Sequence, residues 1–187
     1  MNYKIHDKIS IIPFLNLEIE CDNIGLKDYI SWFNDPEINE FTSHAKFPFT
    51  KMMAYDYQNY LQDNPQKIIV WAIIYQDVVG IFHIGNVCLQ DIDIINRSAE
   101  LGIIIGEKGY HTRGIGTAVC KKVLFHGFCK LNLNRIWLGT PVNNLKMKRV
   151  AEKIGMKQES TEYGGFYYFN EYIDVCKFSI LRKEYFK

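Results

Sequence analysis

The stretch EKGYHTRGIGTAV (residues 107–119) joins an apolar run, SAELGIIIG (98–106), to a segment with helical periodicity, and the fold is decided at that junction. The apolar run reads as a strand. From Gly114 to Lys130 the residues Ile115, Val119, Val123 and Phe128 form a stripe at helical spacing, while Lys121, Lys122 and Lys130 are left to face water. The order strand, short loop, R-G-x-G-T, helix sets the first unpaired N–H groups of the helix, at the positive end of its dipole, next to glycines that allow close approach. A pyrophosphate suits such a cradle. The plain structural alternative is that Gly114 and Gly116 only make a tight strand-to-helix turn.

Two familiar phosphate loops do not fit. Counted from Gly109 to Gly114, the ATP loop G-x-x-x-x-G-K-[ST] has Ile115 where its lysine belongs, so the γ-phosphate has no cationic partner. The dinucleotide fingerprint G-x-G-x-x-G, begun at Gly114 and Gly116, meets Val119 at its third glycine and lacks an N-terminal βαβ unit.

Working outward, FLNLEIE (14–20) alternates as a strand does, and Leu26, Tyr29, Ile30 and Phe33 have helical spacing that ends at Pro36. A short helix is expected within 51–61, stopped by Asn64 and Pro65. KIIVWAIIY (67–75) and VVGIFHIGNVCL (78–89) read as a hairpin turning on Gln76 and Asp77. Beyond the Gly114 helix come a strand at RIWLGT (135–140), a helix at NLKMKRVAEKIG closed by Gly155, and two aromatic-rich strands, from Met156 to about Tyr163 and from Tyr167 to Leu181, with Gly164 and Gly165 at their turn. The order β-α-α-β-β-β-α-β-α-β-β is too irregular for a doubly wound fold. It predicts an α/β (α+β) architecture: a mixed sheet of about seven strands with about four helices on its two faces. Neither a repeat nor a compositional break divides the 187 residues, so residues 1–187 are expected to form a single domain.

Composition narrows the function. A net charge of +1, with acids and bases interspersed, gives no basic stripe for nucleic acid. The five cysteines (Cys21, Cys88, Cys120, Cys129, Cys176) are odd in number and never spaced C-x-x-C, which argues for reduced thiols in a cytoplasmic protein and against a structural zinc. The apolar N-terminal run is broken by Pro13, Asn16 and Glu18, and no segment approaches the roughly 20 apolar residues of a membrane span. None of the five histidines sits in an acid-rich cluster, so no metal is expected, and His83 on its apolar strand reads as a satisfied semi-buried side chain.

The sequence resembles the GNAT N-acetyltransferases, particularly their RimJ/RimL-type branch, which includes ribosomal-protein N-terminal and spermidine acetyltransferases. DYISWFNDPEINEFT resembles the branch's first helix and turn. VGIFHIGNV, INRSAELGIIIGEKGYHTRGIGTAV and HGFCKLNLNRIWLGT resemble its central strands, pyrophosphate loop and following helix and strand; NLKMKRVAEKIGMKQES and YIDVCKFSILRKEY resemble its closing elements. The resemblance implies a GNAT-like, mainly antiparallel sheet and acetyl-CoA as cosubstrate. Arg113, Gly114, Ile115, Gly116 and Thr117 would give backbone N–H groups to its pyrophosphate, and Ile103, Ile104 and Ile105 would pair with the pantetheine arm like an added strand. His111 stands where the family often has Arg or Gln, or Trp in this branch. Asn144 matches a cofactor-contacting asparagine, and would also serve as an ordinary helix N-cap.

The acceptor implied is a small-molecule or peptide primary amine: a protein N-terminus, a polyamine, an amino sugar or another small amine. The protein would work as a monomer or homodimer, without nucleic acid or membrane. Glu100 is the first candidate for the general base, because an ammonium acceptor must lose a proton before it attacks a thioester; its structural alternative is an ion pair with Arg97 or a lysine. Glu159 is the second candidate. The family's tyrosine acid is replaced by Ala151, and an alternative serine by Met147, which motivates a second hypothesis: a non-catalytic CoA-binding regulatory domain. Tyr163, Phe166 and Tyr168, and the segment NEFTSHAKFPFT, are candidates for the acceptor side of the cleft, or for plain strand and loop packing.

Overall fold

The computed structural model describes residues 1–17, 26–44, 46–111 and 113–187. The chain runs through β1 (Tyr3–His6), β2 (Ile9–Pro13), α1 (Leu26–Asn34), α2 (Lys51–Asp63), β3 (Ile69–Gln76), β4 (Ile81–Asp93), β5 (Ser98–Ile105), α3 (Ile115–Phe125), β6 (Arg135–Pro141), α4 (Leu145–Lys153), β7 (Lys157–Tyr168), β8 (Glu171–Leu181) and α5 (Arg182–Tyr185). The strands form one sheet ordered β1-β2-β3-β4-β5-β6-β8-β7. Each neighbouring pair is antiparallel except β5 and β6, which are parallel.

Strand alternation assigns the two faces. On β3, Trp71 and Ile73 point to a core shared with Val119, Val123 and Leu124 of α3 and Ala151 of α4. Val70, Ala72 and Ile74 point the other way, to Tyr29, Trp32 and Phe33 of α1 and Ala54 and Leu61 of α2. This period-2 division between helical layers is what a sheet buried on both sides requires. On β4 the register shifts between Ile73 and Ile74 of its partner. The extra residue brings His83 and Asn86 onto one face, where His83 Nε2 and Asn86 Oδ1 lie 2.8 Å apart.

The parallel seam opens early. β5 and β6 pair only at Ser98–Arg135, Ala99–Ile136 and Glu100–Trp137. From Leu101 to Ile105, β5 keeps β4 on one side and has parted from β6 on the other.

Several expectations need correction. The first strand lies upstream of the one expected at 14–20: Phe14–Asn16 is a 3-10 turn forced by the edge of β2 at Pro13, and residues 18–20 lie outside the described residues. The β1–β2 hairpin was missed; with it the described residues hold eight strands and, with α5, five α-helices. The β3–β4 connection is a longer turn than two residues. In it Asp77 N donates to Gly80 O and Asp77 Oδ1 accepts from Val79 N at 2.9 Å. The β7–β8 turn falls on Phe169 and Asn170, both at positive φ, whereas Gly164, at φ 61°, forms a bulge inside β7. The stripe from Gly114 to Lys130 is α3 followed by a π-helical turn at His126–Lys130.

Candidate active site

The site is built around the opened seam. Gly114 caps α3 at φ 77°, and its carbonyl accepts from Ala118 N, so the N–H groups of Ile115, Gly116 and Thr117 have no partner within the helix. A Cβ at Gly114 would meet nothing within 4 Å, and one at Gly116 would meet only Ile103 Cδ1 at 3.7 Å. The protein's own packing therefore does not demand glycine at residue 116; the cradle has room for something outside the chain. Arg113 lies over the Tyr110 ring at 5.2 Å, and His111 Nε2 is 2.9 Å from Ile105 O, pinning the loop to the end of β5. Asn144 caps α4 through Oδ1, which accepts from Met147 N at 3.1 Å. The Arg113–Thr117 loop and the Ile103–Ile105 end of β5 thus adjoin: a Cβ at Gly116 would face Ile103 Cδ1, and His111 ties the loop to Ile105 O. Anionic groups fit this donor set and an extended chain fits the strand edge.

The far side of α1 is locked to the same place. A Cβ on Gly106 would lie 1.9 Å from Trp32 Cδ2, Trp32 Nε1 donates to Glu107 Oε1 at 2.9 Å, and Lys108 bridges Asp35 and Glu37.

Between α1, α2 and the β4–β5 face lies a cavity of 620 Å³. Its walls are mostly apolar and aromatic, with Asp56, Asn86 and Gln90 as polar points. Thr42, His44 and Phe49 of the NEFTSHAKFPFT segment line it, whereas Phe166 and Tyr168 brace that segment from outside. Lys46 Nζ stands 5.0 Å from the Phe166 ring and Tyr168 OH donates to Glu40 Oε1 at 2.7 Å. Tyr163 is exposed to solvent. Burial raises the pKa of Tyr29 and Tyr57 well above the tyrosine range, so both are neutral hydroxyls.

Glu100 pairs with a neutral partner, neither Arg97 nor a lysine: Gln90 Nε2 donates to its Oε2 at 2.9 Å. Arg97 binds Asn132 instead. Glu159 is a different case. Arg135 and Ser179 both donate to it, and Arg135 first of all holds its pKa below the usual carboxylate value. A carboxylate consumed by an arginine makes a poor base. Ala151 is fully buried in the α3 face core and Met147 packs beside it, so neither position delivers an acid to the cleft.

Sequence reasoning missed Cys88, Gln90, Asn86 and Asp56. The signal available was alternation: residues 86, 88 and 90 share one face of β4, the face turned to the helices that carry Asp56. Cys88 lines the cavity, but burial pushes its thiol up to about 12, and a neutral thiol is a weak nucleophile. Among the described residues no group of three or more His, Cys, Asp or Glu side chains could hold a metal ion, and no helix is long and apolar enough to cross a membrane.

A sheet that opens at its single parallel seam, beside a glycine-capped helix N-terminus, is the arrangement of one class of acyl-transferring enzymes. The acetyltransferase (GNAT) domain profile matches residues 22–157, and the chain belongs to that family: it is an acetyltransferase of the GNAT class. It is 32% identical over 123 residues to the "Putative ribosomal N-acetyltransferase YdaF" of Bacillus subtilis (strain 168), spanning 62% of this chain and 67% of that one. It is 29% identical over 129 residues to the spermidine N(1)-acetyltransferase of Vibrio cholerae, spanning 69% and 71%. Among solved structures, the Vibrio cholerae spermidine N-acetyltransferase in complex with CoA and spermine superposes with a TM-score of 0.80 at 22% identity, covering 96% of this chain and 99% of that one. RimL, the ribosomal L7/L12 α-N-protein acetyltransferase, in complex with coenzyme A, gives 0.78 at 13% identity, covering 97% and 98%. At these identities the superpositions establish a shared fold.

Proposed function

We propose that the protein, acting as a single cytoplasmic unit, transfers the acetyl group of acetyl-CoA directly to a primary amine in a ternary complex. The observation that carries this reading is the juxtaposition of the Gly114–Thr117 cradle with the unpaired edge of β5 and an adjoining cavity walled by α1 and α2. When bound, acetyl-CoA supplies an activated thioester. The backbone N–H groups from Arg113 to Thr117 hold its pyrophosphate, Ile103, Ile104 and Ile105 offer the strand edge to its pantetheine arm, and His111 and Asn144 fix the two flanks of the cleft. The cavity takes the amine. Glu100, held by Gln90, takes the proton that the ammonium must lose, directly or through a water. Burial keeps the Cys88 thiol neutral and weakly nucleophilic, which supports direct transfer rather than an acetyl-enzyme on that cysteine.

One observation favours a second reading, a CoA-binding regulatory domain: the positions of the family's proton donors are filled by Ala151 and Met147. The test is calorimetric titration with acetyl-CoA followed, on the same preparation, by thiol release across a panel of amines. Binding with release on one amine class supports the enzyme; binding without release supports the regulatory domain; no binding overturns both.

A further inference from the structure

Glu100 has a neighbour on each side of its strand. Ala99, Leu101, Ile136 and Leu138 are buried in the core on the α3 side. Alternation therefore turns Glu100 of β5 and Trp137 of β6 to the opposite face, the one that carries the acceptor cavity, and there they are direct partners in the last rung of the parallel seam. Gln90 flanks the carboxylate from β4 and the indole flanks it from β6. Two positions further along, where the strands have parted, both residues on this face are glycine, Gly102 and Gly139. Trp137 itself is half-buried.

The indole already holds a cation. Lys177 Nζ lies 5.2 Å from the centre of the Trp137 ring and 3.1 Å from Glu162 Oε2. The lysine reaches this place from β8 across Gly139: a Cβ on that glycine would lie 3.1 Å from Lys177 Nζ and 3.4 Å from its Cδ. The Lys177 side chain is 29% exposed and that of Glu162 55%, so the pair is screened and easily rearranged.

We propose that Trp137 is a specificity-determining residue of the acetyl transfer: its ring receives the acceptor's ammonium group beside Glu100, and Lys177 is a resident cation that the acceptor displaces. The proposal rests on the acetyltransferase reading and adds the device that selects a charged amine over a neutral nucleophile such as an alcohol. Indole is the strongest of the aromatic cation platforms, because its face carries the negative side of the ring quadrupole. On the β4 side the groups nearest the carboxylate are the Gln90 amide, which donates to it, and the neutral Cys88 thiol, so the ring is the complementary partner that a cation would find next to Glu100. The ring holds the ammonium while it is charged and holds it less once Glu100 has taken the proton, which leaves the neutral amine free to move toward the thioester. Glu162 keeps the displaced lysine paired.

The test combines kinetics with a readout that needs no chemistry. With the amine that releases thiol, Trp137→Leu is expected to raise KM about fivefold or more and Trp137→Phe to raise it less, while Lys177→Met lowers it about twofold or more, all with the Kd for acetyl-CoA unchanged. In the Trp137→Leu background the gain from Lys177→Met should vanish. An equal gain in both backgrounds would mean that the lysine acts through its charge at a distance, and that result, or an unchanged KM in Trp137→Leu, overturns the platform while leaving the acetyltransferase standing. If Trp137→Leu fails to fold, Trp137→Phe takes its place in the same comparison. The second readout is the indole ¹⁵N–H resonance of Trp137, identified by its loss in Trp137→Phe, with the buried Trp32 and Trp71 as internal references. Butylammonium titrated into the CoA-saturated protein should move that resonance, more strongly in Lys177→Met, and 1-butanol should not. No movement, or the same movement with both, overturns the proposal. If no amine releases thiol, the acetyltransferase reading fails, and the resonance still decides whether the ring takes an ammonium.

Discussion

Gln90 and Glu100 sit directly opposite one another on β4 and β5, and the amide of the first donates to the carboxylate of the second at 2.9 Å. Gln90 lines the inner cavity, so this one amide stands between the candidate base and the space where an acceptor would lie. A neutral donor orients the carboxylate without neutralising it, which is the difference between Glu100 and Glu159.

Glu100→Gln is therefore expected to lower kcat by about 10²-fold or more with the Kd for acetyl-CoA nearly unchanged. Gln90→Ala should lower kcat less, again without loss of acetyl-CoA affinity, because it frees the carboxylate without removing it. Steady-state kinetics beside calorimetry read both; an equal loss of turnover and affinity removes Glu100 from the base role.

Glu159→Gln tests the other side of that contrast. Its partner Arg135 is only partly buried, so the variant should cost about 1 kcal/mol or less and leave kcat near the parent value. A large fall in kcat with unchanged Tm would return Glu159 to candidacy.

Gly116→Ala separates stability from binding. The added methyl meets only Ile103 Cδ1 at 3.7 Å, and alanine is the better helix former, so Tm should not fall. Acetyl-CoA affinity should fall about tenfold or more, because the methyl enters the cradle. Unchanged affinity would mean that the α3 N-terminus does not hold the pyrophosphate.

Gly106→Ala should do the reverse. Its methyl would overlap the Trp32 ring, and relieving that clash displaces α1 from β5 at a cost of roughly 1–3 kcal/mol. A thermal melt matching the parent would show that α1 is not clamped there.

Stability should fall as pH drops from about 6.5 toward 4. Burial among aromatic rings lowers the His83 pKa from 6.5 to about 4, so in that window the unfolded chain binds a proton that the folded one does not. The slope is set by the extra proton on the unfolded state, and the loss completes near the folded value, on the order of 3 kcal/mol. His83→Phe should flatten this part of the pH profile of Tm; an identical slope in both proteins would assign it elsewhere.

The fold was legible where periodicity was long. The stripe of α3, the apolar runs of β3 to β5 and the Asn64–Pro65 stop after α2 all stand in the sequence, and the glycine-spaced loop marked the cradle. The β1–β2 hairpin was not legible, because Tyr3–His6 is only four residues long and the alternation at 14–17 imitates a strand while the chain turns. The Phe169–Asn170 turn was hidden by the Gly164–Gly165 pair, a stronger turn signal that the bulge uses instead. At the site, Glu100 could be singled out but its partner could not. Gln90 is ten residues away and reaches it only through β4–β5 register, and the cavity wall depends on how α2 lies across β4, which no local pattern states.

The three-residue contact between β5 and β6 also bears on how the chain folds. The other strand pairs in the sheet are antiparallel, and most are closed by short turns, whereas Ser98 and Arg135 are joined only after α3 and its π-helical turn have been laid down. Long loop closure for three paired residues gains little per residue ordered, so this seam is expected to form late and to open early, with β1 to β5 and β6 to β8 as the cooperative units on either side. A molecule seated across Thr117 and Asn144 would touch both units and act as their clasp. Saturation should therefore slow amide exchange most at Ala99 and Ile136, residues that no ligand needs to contact.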